Sequence, residues 1–166
     1  MAYIEPSEFV TKMVDSGEQK IYMSTKDTII RAFMAGAILG LAAIFAITIA
    51  VKTGVFLLGA ILFPVGFCML YLMGFDLLTG VFVLAPLALL DKRPGVDVRG
   101  ILRNWGLVFL GNFGGALTVA FMMAFIFTYG FNVDAGAVGA KAASIGEART
   151  VGYAEHGLGG WLTIFI

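Results

Sequence analysis

Charge is what this sequence has least of. Only 13% of its 166 residues are charged, 11 acidic and 11 basic, about half the ~25% usual in a soluble domain. A net charge of zero gives no basic face for a nucleic-acid partner. There is one cysteine and one histidine. The lone Cys68 excludes an internal disulfide, and inside its apolar run it reads as a small buried hydrophobe with an inert thiol. One His and one Cys also exclude a zinc centre or a Cys/His nucleophile pair, so no cofactor is expected. Gly136-x-x-Gly139-x-Lys141 lacks both the spacing of a phosphate loop and the strand before it. Too few polar residues lie within the apolar runs to converge on an intramembrane active site, so the chain is read as no enzyme. The first 31 residues are mixed polar, with no short apolar core followed by a cleavage site.

Apolar length is what is there. Hydrophobic residues make up 60% of the chain, and 22 of 166 residues are glycine, nearly twice the usual ~7%. Both point to an all-α polytopic membrane protein. Residues 1–31 read as an N-terminal segment, with Phe9, Met13, Ile21 and Met23 on one side of a short surface helix. Ser24 and Asp27 read as the N-cap pair of the next helix. Residues 32–166 read as the transmembrane domain. Its first span is 32–51, free of charge between Arg31 and Lys52, and ~30 Å long at 1.5 Å per residue. The stretch 54–90 is too long for one helix and too short for two spans with a loop. It reads as one span broken near 74–80, at Gly74-Phe75-Asp76. After the polar turn 91–95 comes a third span over 104–131. Residues 134–156 read as an aqueous loop. Residues 157–166 start a span of only ~15 Å, so the chain is expected to stop within its fourth span.

Basic residues set the orientation. Lys12, Lys20, Lys26 and Arg31 precede the first span, and Lys92, Arg93, Arg99 and Arg103 flank the second and third. Only Lys52, Lys141 and Arg149 lie on the other side. The excess places the N-terminus and the 91–103 loop in the cytoplasm, in a cell inner membrane. Gly36-x-x-x-Gly40 and Gly111-x-x-x-Gly115 are spaced for close helix packing.

Asp76 carries the strongest chemical signal, as the only charge between Lys52 and Asp91. An ionised carboxylate in such a run is costly, so it either faces a cavity or caps the second half of the broken helix. Gly74 and Gly80 bracket it, and Thr79 adds a hydroxyl. A break with exposed N–H groups suits an anion. Asn112, in the third span, needs partners for its amide, either an interhelical hydrogen bond or a ligand. Asn104-Trp105 reads as a helix cap and interfacial anchor. His156 is either a solvated loop histidine or a titrating cation at the mouth of a vestibule.

Tyr71-Leu-Met-Gly-Phe-Asp76-Leu77-Leu78-Thr79-Gly80, a basic loop, and then Arg103-Asn104-Trp105-x-x-Val108-x-x-Gly111-Asn112-x-x-Gly115-Ala116 resemble the formate/nitrite transporter family in character, order and separation. The resemblance runs from about residue 5 to the end. It implies an aquaporin-like inverted-repeat helical bundle, here the first repeat plus the start of the second. It also implies homopentamers with one anion path per subunit. The partners implied are small monovalent anions (formate, nitrite or hydrosulfide), often with a proton, in the lipid bilayer. Carried over, Phe67, Leu77 and Leu78 would be constriction residues, and Thr79 the hydroxyl facing the centre. Phe75 and Leu78 depart from the family pattern, which has a small residue and an aromatic there. The family's Gly-Phe-Glu-His-like stretch is absent, and His156 is not its histidine. Family chains are longer, so this one is expected to be a truncated half, which by itself would not conduct.

Overall fold

The computed structural model describes residues 4–165, and these are helical with short turns. Residues 1–3 and 166, the outer ends of the expected first and last segments, lie outside the described residues. The helices are α1 (Pro6–Tyr22), α2 (Thr25–Thr53), α3 (Phe56–Leu62), α4 (Val65–Leu72), α5 (Leu78–Leu90), α6 (Val98–Phe127), α7 (Gly136–Ala148) and α8 (Gly157–Phe165), with a 3-10 turn at Val151–His156. Among the described residues, α2 and α6 are long and apolar enough to cross a membrane. At 29 and 30 residues each is ~45 Å long and overruns a ~30 Å hydrocarbon core. The chain divides into two compact units. One holds residues up to Leu41 together with Val65–Val119; the other holds Ala42–Pro64 and the residues from Ala120 on.

Several boundaries differ from the sequence expectation for local physical reasons. Helix α2 starts at Thr25 because Ser24 caps it. The Asp27 N–H donates to Ser24 Oγ at 3.1 Å, and that hydroxyl donates to Asp27 Oδ2 at 2.7 Å. Helix α6 starts at Val98, six residues before Asn104, because the Asp97 carboxylate accepts the Gly100 N–H at 2.7 Å. Asn104 is therefore inside a helix, not its cap. The stretch 54–90 is broken twice. Pro64, which has no N–H to donate, separates α3 from α4, and residues 73–77 separate α4 from α5. Thr79 and Gly80 already belong to the first turn of α5. The expected loop at 134–156 contains helix α7.

In the first unit, glycines set the packing of α2 on α6. A Cβ at Gly36 would overlap the Asn112 carbonyl, and one at Gly115 would overlap the Phe33 carbonyl. Gly111 meets Ala32 and Gly40 meets Val119. The two small-residue pairs thus let these backbones touch. Helix α1 packs along α5. Val14, Gly17 and Ile21 are its buried residues, and Gly17 lies against the Leu84 carbonyl. Phe9, set by sequence on one side of a surface helix, is exposed. Ile21 joins Ala85, Ala88, Val96 and Ile101 in one core cluster; Ala32, Val81 and Val108 form another, with Leu78 packed on it and Trp105 on both. The Arg93 guanidinium meets Asp15 at 2.7 Å, Asp91 at 2.8 Å and Glu18 at 3.5 Å. Tyr22 donates to the Pro94 carbonyl. Cys68, expected to be buried, is exposed on α4.

In the second unit, α3 lies against the end of α2 through Gly59, which faces the Ala46 carbonyl. Phe121, Phe125 and Phe131 form an aromatic cluster, with Phe131 centroids 6.1 and 5.8 Å from the other two.

Candidate anion site at the helix break

The break between α4 and α5 begins as a regular helix end. Gly74, at φ +71°, adopts the left-handed conformation that costs glycine nothing. The Phe75 N–H donates to Leu70 O at 2.9 Å and the Gly74 N–H to Tyr71 O at 3.1 Å. That is a Schellman motif, and it satisfies the last carbonyls of α4. The chain then extends through Leu77, at φ −100° and ψ 136°, which stands at the N-cap of α5 without a side-chain cap of its own.

Asn112 supplies what is missing. Its Oδ1 accepts the Leu78 N–H at 2.9 Å. Its Nδ2 donates to the Asp76 carbonyl and to the Ala32 carbonyl, each at 2.8 Å. One amide on α6 thereby caps α5, holds the extended segment and fastens both to α2. This is the interhelical role weighed for Asn112 in the sequence, and it fills the capping role that was one of the two alternatives for Asp76.

Asp76 does something else. Its side chain is only 1% exposed, and Oδ1 pairs with Lys20 Nζ from the last turn of α1. Oδ2 has no partner among the described residues. The Lys20 carbonyl in turn accepts Asn104 Nδ2 at 3.0 Å. Asn104 is itself 1% exposed. Trp105 donates its indole N–H to the Val81 carbonyl at 3.1 Å, and its ring meets Phe82 edge-on at 4.7 Å. Asn104 and Trp105 therefore tie α1 and α5 to α6, where the sequence suggested a cap and an interfacial anchor. A more exposed contact, Arg31 to the Gly74 carbonyl at 3.4 Å, adds α2 to the break.

These elements enclose a cleft of about 500 Å³. The expected residues Gly74, Asp76, Leu77, Thr79 and Gly80 line it, together with Tyr71, Phe75 and three residues of α1, Met13, Ser16 and Lys20. Thr79 is exposed to it, and among the described residues its backbone N–H meets no protein carbonyl. Leu78 does not line the cleft; it packs against Ala32, Val81 and Val108. Phe67 on α4 is half-buried and is not part of the lining, and His156, exposed at the end of the 3-10 turn, is not part of it either. Sequence reasoning missed Lys20, counted there only as a basic residue. The signal was available: a lone carboxylate in an apolar run needs a counter-cation, and Met13, Ser16 and Lys20 share one face of α1 at helical spacing.

Helices of membrane-spanning length, one broken pair fastened by a half-buried amide, and polar groups concentrated at the break fit a helical membrane protein of transporter type. The comparison with known proteins narrows the class. The Formate/nitrite transporter family model matches residues 7–166, and the chain belongs to that family. It is similar to the "Uncharacterized transporter YrhG" of Bacillus subtilis (strain 168), 30% identical over 127 residues, covering 73% of this chain and 47% of the relative. It is 28% identical over 127 residues to "Formate channel BtFdhC" of Bacillus thuringiensis, covering 73% and 48%. It is 33% identical over 104 residues to a "Probable formate transporter" of Methanothermobacter thermautotrophicus, covering 58% and 37%. The chain spans about half the length of the first two curated relatives.

Proposed function

We propose that the protein moves small monovalent anions across a cell inner membrane, with formate as the main substrate and nitrite or hydrosulfide as others, along a path through each subunit of a homopentamer. The observation that carries the reading is the break at 73–77. Irregular backbone in an apolar run is tolerated only where protein buries it or an aqueous path runs beside it, and this one opens on a cleft lined by Leu77 and Thr79. Two relatives bear formate in their names.

The filter works by dehydration. An apolar constriction strips water from an entering ion, and a bare charge in such surroundings is costly by tens of kcal/mol on an idealised scale. A small weak-acid anion escapes that cost when a proton neutralises it on the way, so transport is proton-coupled. Leu77 supplies apolar lining and Thr79 a hydroxyl and a backbone N–H to replace lost water. Phe67 contributes a further constriction, and Leu78, packed on Ala32, Val81 and Val108, shapes the wall behind Leu77. Gly74, Gly80 and Asn112 give the break its geometry, and His156 stands at the outer vestibule. The N-terminal segment and the 91–103 turn lie on the cytoplasmic side. Supporting this, each holds four of the chain's 11 Lys and Arg residues, and they touch within one unit, through Tyr22 with Pro94, Arg93 with Asp15, and Arg103 with Thr25 at 2.6 Å.

The test is formate flux into proteoliposomes with Thr79→Val, which removes the hydroxyl at nearly constant volume. Most of the flux is lost if Thr79 meets the anion; unchanged flux sinks that role. Saturable formate uptake by the 166-residue chain alone would locate a complete path within these residues.

A further inference from the structure

The second unit contains another cleft, of about 540 Å³, within the range of small-molecule sites. Its floor is apolar and shaped by small residues. Ala43, Ala46 and Ala50 share one face of α2, opposite Gly59 and Ala60 of α3. The floor is closed because the two helices touch at Gly59, where a Cβ would come within 2.5 Å of the Ala46 carbonyl oxygen and 3.0 Å of the Ala50 Cβ.

Two cations border this apolar trough. Lys141 and Arg149 both line it, with Ile145 between them, at the i, i+4 and i+8 positions of α7 and its C-cap. Among the described residues neither forms an ion pair. Lys141 Nζ stands instead 5.2 Å from the centroid of the Phe56 ring. A cation placed over an aromatic face at the border of an apolar trough is left with charge to neutralise. A small inorganic anion would use the two cations and leave the trough wet. An amphiphile with an acidic head and an acyl chain satisfies both parts, because Lys and Arg pair with phosphate oxygens by charge-assisted hydrogen bonds.

We infer that this cleft holds an anionic phospholipid, its phosphate against Lys141 and Arg149 and the start of an acyl chain on the Ala43–Ala46–Ala50 face. The site is independent of the proposed anion path.

The test uses the full chain in phosphatidylcholine vesicles containing traces of spin-labelled phosphatidylglycerol or spin-labelled phosphatidylcholine, read by the motionally restricted fraction in electron paramagnetic resonance. The wild type prefers the anionic label, at a site that saturates at one lipid per chain. Each of K141Q and R149Q lowers that preference about fivefold, and the double variant about 25-fold. A60F keeps both cations but fills the trough, and it removes the preference as well. Equal association of the two labels with the wild type would overturn the assignment, as would an unchanged preference in K141Q/R149Q or in A60F. Displacement of the label by excess inorganic phosphate would also overturn it, making the cleft a small-anion site.

Discussion

Lys20→Met isolates the ion pair under the break. Methionine keeps the apolar stem of Lys20 but leaves the Asp76 carboxylate, 1% exposed, with neither oxygen partnered by a side chain. Removing one partner of a buried pair costs about 3–5 kcal/mol, because the remaining charge stays uncompensated. The reverse change, Asp76→Asn, is milder. The Lys20 side chain is 15% exposed and can turn its ammonium toward water, so about 2 kcal/mol is expected, the value of a hydrogen bond to a charged group. The double variant carries no stranded charge. Its cost falls short of the sum of the singles by about 2 kcal/mol, the coupling expected of residues in contact. Reversible unfolding in mixed micelles, titrated with dodecyl sulfate, measures all three. A cost for Lys20→Met under about 1 kcal/mol, or additive costs in the double variant, would refute the argument that α1 is pinned to the break by this pair.

Asn112→Leu removes three hydrogen bonds at once and strands the Leu78 N–H; the same titration should show a loss of about 3 kcal/mol, at about 1 kcal/mol per bond. Gly36→Ala should cost about 3 kcal/mol, because its methyl meets the Asn112 backbone where neither helix can retreat. Gly106→Ala, with no atom within 4 Å of the added carbon, should instead gain about 0.5–1 kcal/mol from helix propensity alone. A similar cost at the two glycines would contradict the packing of α2 on α6.

The long elements were legible because their signals are redundant. Runs without charge marked α2 and α6, and glycines at four-residue spacing marked the face where they meet. The Ser24–Asp27 cap was readable because capping is local. Asp76 stood out as a lone charge, and the break beside it followed from Gly74. What was not legible depends on distant partners. That Asn112, not Asp76, caps α5 is set by α6 passing beside the break, 34 residues away from Leu78 in sequence. Lys20 sits 56 residues from Asp76, and nothing local in α1 reveals the pairing. The start of α6 was misplaced because the run without charge begins at Asn104, after Arg103, whereas the helix begins at the Asp97 cap. Helix α7 was missed because small residues carry little apolar periodicity.

Cysteine accessibility tests the central claim, an anion path lined by the break, most directly. In a Cys68→Ser background the chain carries no other cysteine, so Leu77→Cys, Leu78→Cys and Thr79→Cys can each be treated with a charged, water-borne methanethiosulfonate while formate flux is followed. The account predicts rapid modification and loss of flux at 77 and 79, slowed by formate. It predicts little modification at 78, which packs on Ala32, Val81 and Val108. Equal modification at all three positions, or full flux after modification at 79, would contradict it.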